Sequence, residues 1–234
     1  MTNLYLAIKL TQNMHVRSYK DFGRDIVKIL SLIACFLPLS IKAQNTDNIL
    51  WAKISASQDL NPETTIAFAP IVRYRDDISE YQDFSLDYSI KRKLNKNFSV
   101  QLTGRTWFLR SGRKRQFIWP QISYTSTKDK LKINSYLRWH AALDLDDFVD
   151  VDFLRWKTSL SHQTTARLNF SIGAEPWYRL DEGDTGIRRN RYYLGAGYKL
   201  SSDKRLTFDW WRQLSSFNGD ITENIFVVHL AFKI

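Results

Sequence analysis

His140 precedes an acidic stretch in which Asp144, Asp146 and Asp147 follow within seven residues, a spacing that can support hydrolysis. One carboxylate can fix the imidazole tautomer while a second acid helps to activate water. Asp150 and Asp152 extend the stretch, so that five carboxylates (Asp144, Asp146, Asp147, Asp150, Asp152) can also supply oxygen ligands to Ca²⁺. The order lacks the glycine and terminal glutamate of an EF-hand loop, and a solvated acidic loop is the simpler reading. His162 and His229 have no carboxylate partner evident in sequence. There is no glycine-rich phosphate loop, nucleophile elbow, paired metal-ligand histidines or solenoid repeat. No cofactor is therefore expected.

A second set of charges recurs at alternate positions: Arg73, Asp83, Asp87, Arg105, Arg138, Arg155, Lys157, Arg167, Glu175, Arg179, Arg189, Arg191 and Asp209. Each lies opposite an apolar residue in a period-two pattern, which is the signature of a strand with one apolar face. Tyr192, Leu194, Ala196, Tyr198 and Leu200 share one face, while Arg191, Tyr193, Gly195, Gly197 and Lys199 share the other. Phe98, Val100, Leu102, Gly104, Thr106 and Phe108 alternate in the same way with Ser99, Gln101, Thr103 and Arg105. So do Phe84, Leu86, Tyr88 and Ile90 with Asp83, Ser85, Asp87 and Ser89, and Leu131, Ile133, Ser135, Leu137 and Trp139 with Lys132, Asn134, Tyr136 and Arg138. From about residue 47 onward no segment has convincing helical spacing.

Several of these strands reach ten residues or more, matching the roughly 9–11 that cross a bilayer at about 45° of tilt. A soluble β-sandwich needs only short strands. Tight connections near Asn95, Thr127–Lys130, Ser161–Thr165 and Ser201–Lys204 alternate with connections that are mostly longer and more polar, as in a barrel with short periplasmic turns and longer outer loops. Ten strands follow from Thr64 to the C-terminus. Leu50–Ser57 would be an eleventh, or a periplasmic or lumen-filling piece, so the expected count is 10 to 12 with 10 favoured.

The chain has 234 residues, 44% of them hydrophobic, and a mean hydropathy of −0.37, an average that a membrane barrel with a polar interior shares with a soluble domain. An apolar run from Ile29 to Ile41 follows Arg17, Lys20, Arg24 and Lys28 and ends at Ala43. At about 13 residues it is too short to span a membrane as a helix and reads as the core of a signal peptide, residues 1–43, cut after Ala43. Leu32-Ile33-Ala34-Cys35 is an alternative lipobox, and Met14 an alternative start. Removing residues 1–43 leaves 28 basic and 22 acidic residues, a mature charge of +6 on residues 44–234. The cations are dispersed without a basic helix or tail, which argues against nucleic acid as a partner. Cys35 is the single cysteine, so no disulfide framework is available.

The chain ends on Phe226, Val228, Leu230, Phe232 and Ile234 along one face, the kind of aromatic last strand that presents an outer-membrane barrel to its assembly machinery. The early Trp51 strand with the turn Leu60–Glu63, the segment Phe84-Ser-Leu-Asp-Tyr-Ser-Ile-Lys, Tyr136-Leu-Arg-Trp, Glu175-Pro-Trp-Tyr-Arg and Arg191-Tyr-Tyr-Leu-Gly-Ala-Gly-Tyr-Lys-Leu resemble the domain of unknown function 2490 family of outer-membrane β-barrels of Bacteroidota. That resemblance implies an antiparallel transmembrane β-barrel in the outer membrane, in contact with its lipid and lipopolysaccharide. It implies no activity.

Three functions fit. The first is a small pore or transport-related barrel with a net-cationic lumen, since a ring of Arg and Lys favours anions in a confined path. The second is a structural or adhesive surface barrel whose lumen is plugged by salt-bridged side chains. The third is a rim-active hydrolase built on His140 and the loop aspartates.

Overall fold

The computed structural model describes residues 46–142, 153–180, 185–216 and 221–234. These residues form eleven strands and no helix: β1 (Thr46–Asp59), β2 (Thr64–Arg75), β3 (Glu80–Lys93), β4 (Phe98–Leu109), β5 (Lys114–Lys128), β6 (Leu131–Ala142), β7 (Phe153–Gln163), β8 (Leu168–Arg179), β9 (Gly186–Lys199), β10 (Lys204–Ser215) and β11 (Ile221–Lys233). Neighbours in sequence pair antiparallel, and β1 closes the barrel against β11 in parallel. The count lies inside the expected range and is one more than the favoured ten, because residues 46–59 form a complete strand.

The alternating pattern decides which side chains enter the closed barrel. Odd positions of β1 point inward and carry Ile49, Trp51, Lys53 and Ser55, while Leu50, Ala52, Ile54 and Ala56 point out. A one-residue slip would turn all of these around, so the inner polar face fixes the register. Large apolar side chains stand exposed around the outside, including Ile54, Phe68, Tyr88, Ile90, Leu102, Ile122, Leu137, Trp156, Leu160, Ile172 and Tyr192. Hydroxyls on this face are satisfied locally. Ser135 and Thr158 bond each other at 3.0 Å, and the Trp156 indole N–H donates to Ser135 at 3.0 Å.

The parallel seam is closed along twelve residue pairs, Thr46↔Thr222 to Ser57↔Lys233. Side chains cross it at both ends. Asn224 donates to Asn48 at 3.1 Å near one mouth, and Lys233 pairs with Asp59 at 2.8 Å near the other. The β2–β3 connection locks over the start of β1: Asn48 donates to Asp77 at 2.7 Å, the Asp77 N–H to Asp47 at 3.0 Å, and the Ile78 N–H to the Asn48 carbonyl at 3.1 Å. Asp76, Asp77 and Ile78 all have φ between 52° and 68°, the left-handed region that a β-branched residue occupies only at a cost. These cross-bonds to β1 offset that strain.

The strand ends divide into two mouths. The strand ends that border connections 60–63, 94–97, 129–130, 164–167 and 200–203 meet at one mouth, and those that border 76–79, 110–113, 143–152, 180–185 and 216–220 meet at the other. The second set contains the longer ones and defines the loop mouth. In the turn mouth, the Ser201 hydroxyl donates to Asp203 at 2.7 Å and holds that carboxyl below the usual carboxylate range. Because β1 runs parallel to β11, Thr46 sits at the loop mouth and Ile234 at the turn mouth.

Three prolines sit within strands, and each interrupts a ladder because it has no N–H to donate. Pairing lapses where Pro70 faces Ile54, where Pro120 faces Trp139, and where Pro176 faces Trp156. The last two gaps fall at Trp119/His140 and at Lys157/Glu175, all inward-facing residues that line the lumen.

Candidate functional site

The barrel encloses a cavity of about 890 Å³. Its two halves differ in chemistry. Toward the turn mouth the wall carries polar side chains, Ser55, Thr65, Ser89 and Gln101, together with Lys91 and His229. Toward the loop mouth it carries aromatics interleaved with guanidinium groups: Trp51, Trp107, Trp119, Trp177 and Trp211 with Arg73, Arg105, Arg138, Arg155, Arg189 and Arg191.

Glycines on the inner face of β8 and β9 make room for bulky neighbours. The ring of Tyr193 lies over Gly173, its cross-strand partner, so closely that a Cβ there would meet the phenol oxygen at 2.2 Å and the Thr158 carbonyl at 2.5 Å. A Cβ on Gly195 would meet Asp209 at 2.1 Å. On the outer face Tyr88 covers its partner Gly104 in the same way.

Each buried arginine has a defined set of partners. Arg73, 3% exposed, donates to Asp83 at 2.5 Å and to Ser85 at 3.1 Å, with its guanidinium 4.9 Å from the Trp51 ring and 4.8 Å from the Trp107 ring. Arg105 forms a two-pronged pair with Asp87 at 2.5 and 2.8 Å and lies 4.5 Å from the Trp119 ring. Arg138 donates to Gln121 at 2.7 Å beside Trp119 and Tyr136. Glu175 is the anionic centre of the opposite wall, receiving Arg155 at 2.8 Å, the Trp177 indole N–H at 3.2 Å and the Tyr136 hydroxyl, with Arg191 3.6 Å away. Arg155 and Arg191 both lie against Trp177, at 3.8 and 4.6 Å. These cation–π contacts gain strength from the exclusion of water, and they hold the guanidinium planes in place.

Of the thirteen charged residues expected to line the lumen, ten do so: Arg73, Asp87, Arg105, Arg138, Arg155, Lys157, Glu175, Arg189, Arg191 and Asp209. Asp83 lies behind that wall, fully buried against Arg73. Arg179 ends β8 at the loop mouth. Arg167 departs from the expectation: β8 begins only at Leu168, which leaves Arg167 exposed in the preceding turn.

His140 lines the same cavity, ringed by Phe117 and Trp119 (both 4.9 Å between ring centres), Trp177 (5.8 Å) and Phe153 (6.5 Å). Its Nδ1 is buried without a hydrogen-bond partner. No described carboxylate approaches it as a catalytic partner. Asp144, Asp146, Asp147, Asp150 and Asp152 lie outside the described residues, which themselves contain no cluster of three or more metal-ligating side chains. His229 bonds Ser55 at 2.8 Å across the seam, and His162 sits near the exposed end of β7.

The aromatic half of the lumen did not emerge as a site from sequence, although its signal was available. Trp51, Trp107, Trp119, Trp177 and Trp211 all occupy inward parity, next but one to Lys53, Arg105, Gln121, Glu175 and Asp209. Lys53 and Tyr136 are further lumen groups on this parity, and Tyr136 reaches Glu175 across two strand interfaces.

An all-β closed barrel with exposed apolar side chains outside and a cationic, aromatic-braced cavity inside is the class of protein that these features define. The chain belongs to the family described as Protein of unknown function (DUF2490), whose profile matches residues 48–224. No curated protein matches it.

Proposed function

We propose that the mature chain is an outer-membrane β-barrel whose lumen admits small anions. The observation that carries this reading is the charge of the cavity wall, where ten Lys and Arg side chains face four carboxylates. In a confined, low-dielectric space that excess lowers the barrier for anions and raises it for cations. The membrane assignment rests on strands of 11 to 15 residues, long enough to cross a bilayer, and on apolar side chains left exposed around the wall. Export by residues 1–43, contact with outer-membrane lipid and lipopolysaccharide, and delivery to the assembly machinery through β11 complete the reading.

A purified, heat-modifiable barrel reconstituted in planar bilayers under a KCl gradient tests it. Anion passage predicts single-channel steps with a reversal potential displaced toward that of chloride. A potential displaced toward that of potassium, or a folded barrel that conducts nothing, overturns it. Absence of a mobility shift between boiled and unboiled outer-membrane samples overturns the membrane assignment itself.

A second reading, a rigid structural barrel, is favoured by one observation: Arg73–Asp83, Arg105–Asp87 and Arg155–Glu175–Arg191 tie adjacent strands together inside the wall. It predicts a stable, silent barrel in the same bilayer experiment.

A further inference from the structure

Five of the ten lumen cations have a direct partner inside the wall. Arg73, Arg105, Arg155 and Arg191 have carboxylates, and Arg138 has an amide oxygen. Lys53, Lys91, Lys157 and Arg189 differ: each lines the cavity, and none is hydrogen-bonded or ion-paired to a described residue. Lys157 has its ammonium 4.1 Å from the Tyr193 ring, and Arg189 lies 4.7 Å from the Trp177 ring, so aromatic faces are their nearest support. Lys53 projects from the seam strand into the field of Asp87, Arg105, Arg138 and Lys157, three cations and one carboxylate. Lys157 lies in the field of Glu175 and Asp209, and Arg189 in that of Glu223, yet ten cations share four carboxylates in this cavity, and a bound anion relieves that excess.

We infer that the lumen holds a binding site for a small phosphate-bearing solute, its phosphate set among Lys53, Lys157 and Arg138 and its hydroxylated body in the Ser55, Thr65, Ser89 and Gln101 half of the cavity. The inference rests on the reading that small anions reach the lumen. Three features select this chemistry. The unpaired Lys53 and Lys157 ammonium groups and the Arg138 guanidinium, bonded only to a neutral amide, are donors only, so they favour an acceptor head with more than one charge, which a phosphate monoester is at neutral pH. Trp119, Trp177 and Tyr193 already carry guanidinium or ammonium groups against their rings, which leaves these rings less stacking surface for a flat aromatic ligand. The turn half offers hydroxyls, an amide and the Lys91 ammonium, which suit the oxygens of a polyol and not an alkyl tail. A cavity of about 890 Å³ accommodates a solute of this class.

Five of the eight tryptophans line the cavity, so intrinsic fluorescence of the full barrel in detergent micelles reports occupancy directly. The probes are inorganic phosphate, glucose 1-phosphate, glucose and chloride at constant ionic strength, with lipid A-containing vesicles as a separate arm. Saturable quenching by glucose 1-phosphate, weaker quenching by phosphate and none by glucose is expected. Lys53→Gln and Lys157→Gln, each checked for heat-modifiable folding, should each weaken glucose 1-phosphate binding at least tenfold, whereas Lys96→Gln, in an exposed turn, should leave it unchanged.

Equal, unsaturable responses to all salts overturn the site, even where conductance is anion-selective. A response confined to lipid A vesicles also overturns it, because the phosphate recognised then belongs to the membrane. Saturable binding that survives both lysine substitutions unchanged overturns the assignment to this cluster. Cation-selective conductance overturns the passage reading alone when the soluble phosphate still binds.

Discussion

Removing the carboxylate of Asp83 should be the most damaging single change in the barrel wall. The side chains of Arg73 and Asp83 are 3% and 1% exposed, and their atoms approach to 2.5 Å. In Asp83→Leu the guanidinium keeps Ser85 and its two tryptophan faces but loses the counterion that made its burial tolerable. A lone charged partner left in a buried pair costs about 3–5 kcal/mol, and the loss of a charge-assisted hydrogen bond contributes about 1.5–3 kcal/mol of that. Because Ser85 and the π-faces remain, the lower part of the range applies, about 3 kcal/mol, or roughly a hundredfold in the folding equilibrium.

The double variant Arg73→Met/Asp83→Leu separates this account from a simple loss of packing. With both charges replaced by apolar groups of similar size, stability should return to within about 1 kcal/mol of the parent, giving a coupling of about 2–3 kcal/mol. Urea unfolding from lipid vesicles, followed by tryptophan fluorescence, measures all four corners of the cycle. If Asp83→Leu loses less than about 1 kcal/mol, or if the double variant is as unstable as the two single losses added together, Arg73 is not an uncompensated buried charge and the reasoning fails.

Gly173→Ala should destabilise the barrel by about 1–3 kcal/mol in the same assay, because the new methyl meets the Thr158 carbonyl, which is backbone and must shift. Gly104→Ala meets only the Tyr88 ring, so Tyr88→Ala should recover most of its loss. The parallel seam places the two ends of the barrel at opposite mouths: an epitope inserted just before Thr46 should be accessible to antibody on intact cells, while one after Ile234 should need permeabilised cells. The reverse labelling pattern would mean that the loop mouth faces the periplasm.

The strands were legible because a period-two pattern reports directly on which face each side chain occupies, and inward charges such as Arg105, Glu175 and Arg191 could be assigned by parity alone. Spatial convergence was not legible in the same way. Nothing local to Tyr136 indicates that its hydroxyl reaches Glu175, 39 residues away, or that Arg73 is sandwiched between tryptophans from β1 and β4. Those contacts depend on how far each strand is staggered against the next, which side-chain alternation does not encode.

The eleventh strand illustrates the same limit at the scale of topology. Residues 52–57 alternate after the apolar run Ile49–Ala52, but alternation is identical for parallel and antiparallel partners. Antiparallel closure would have required an even count and discarded this segment. The side chains that secure it, Asn48 with Asn224 and Asp77, and Ser55 with His229, are polar residues whose partners lie 29 to 176 positions away. Seating β1 also delivers Trp51 and Lys53 to the lumen, one to brace Arg73 and the other to add an unpaired cation at the centre. The strand that sets the parity of the barrel therefore also supplies part of its chemistry, and a ten-stranded version would lack both.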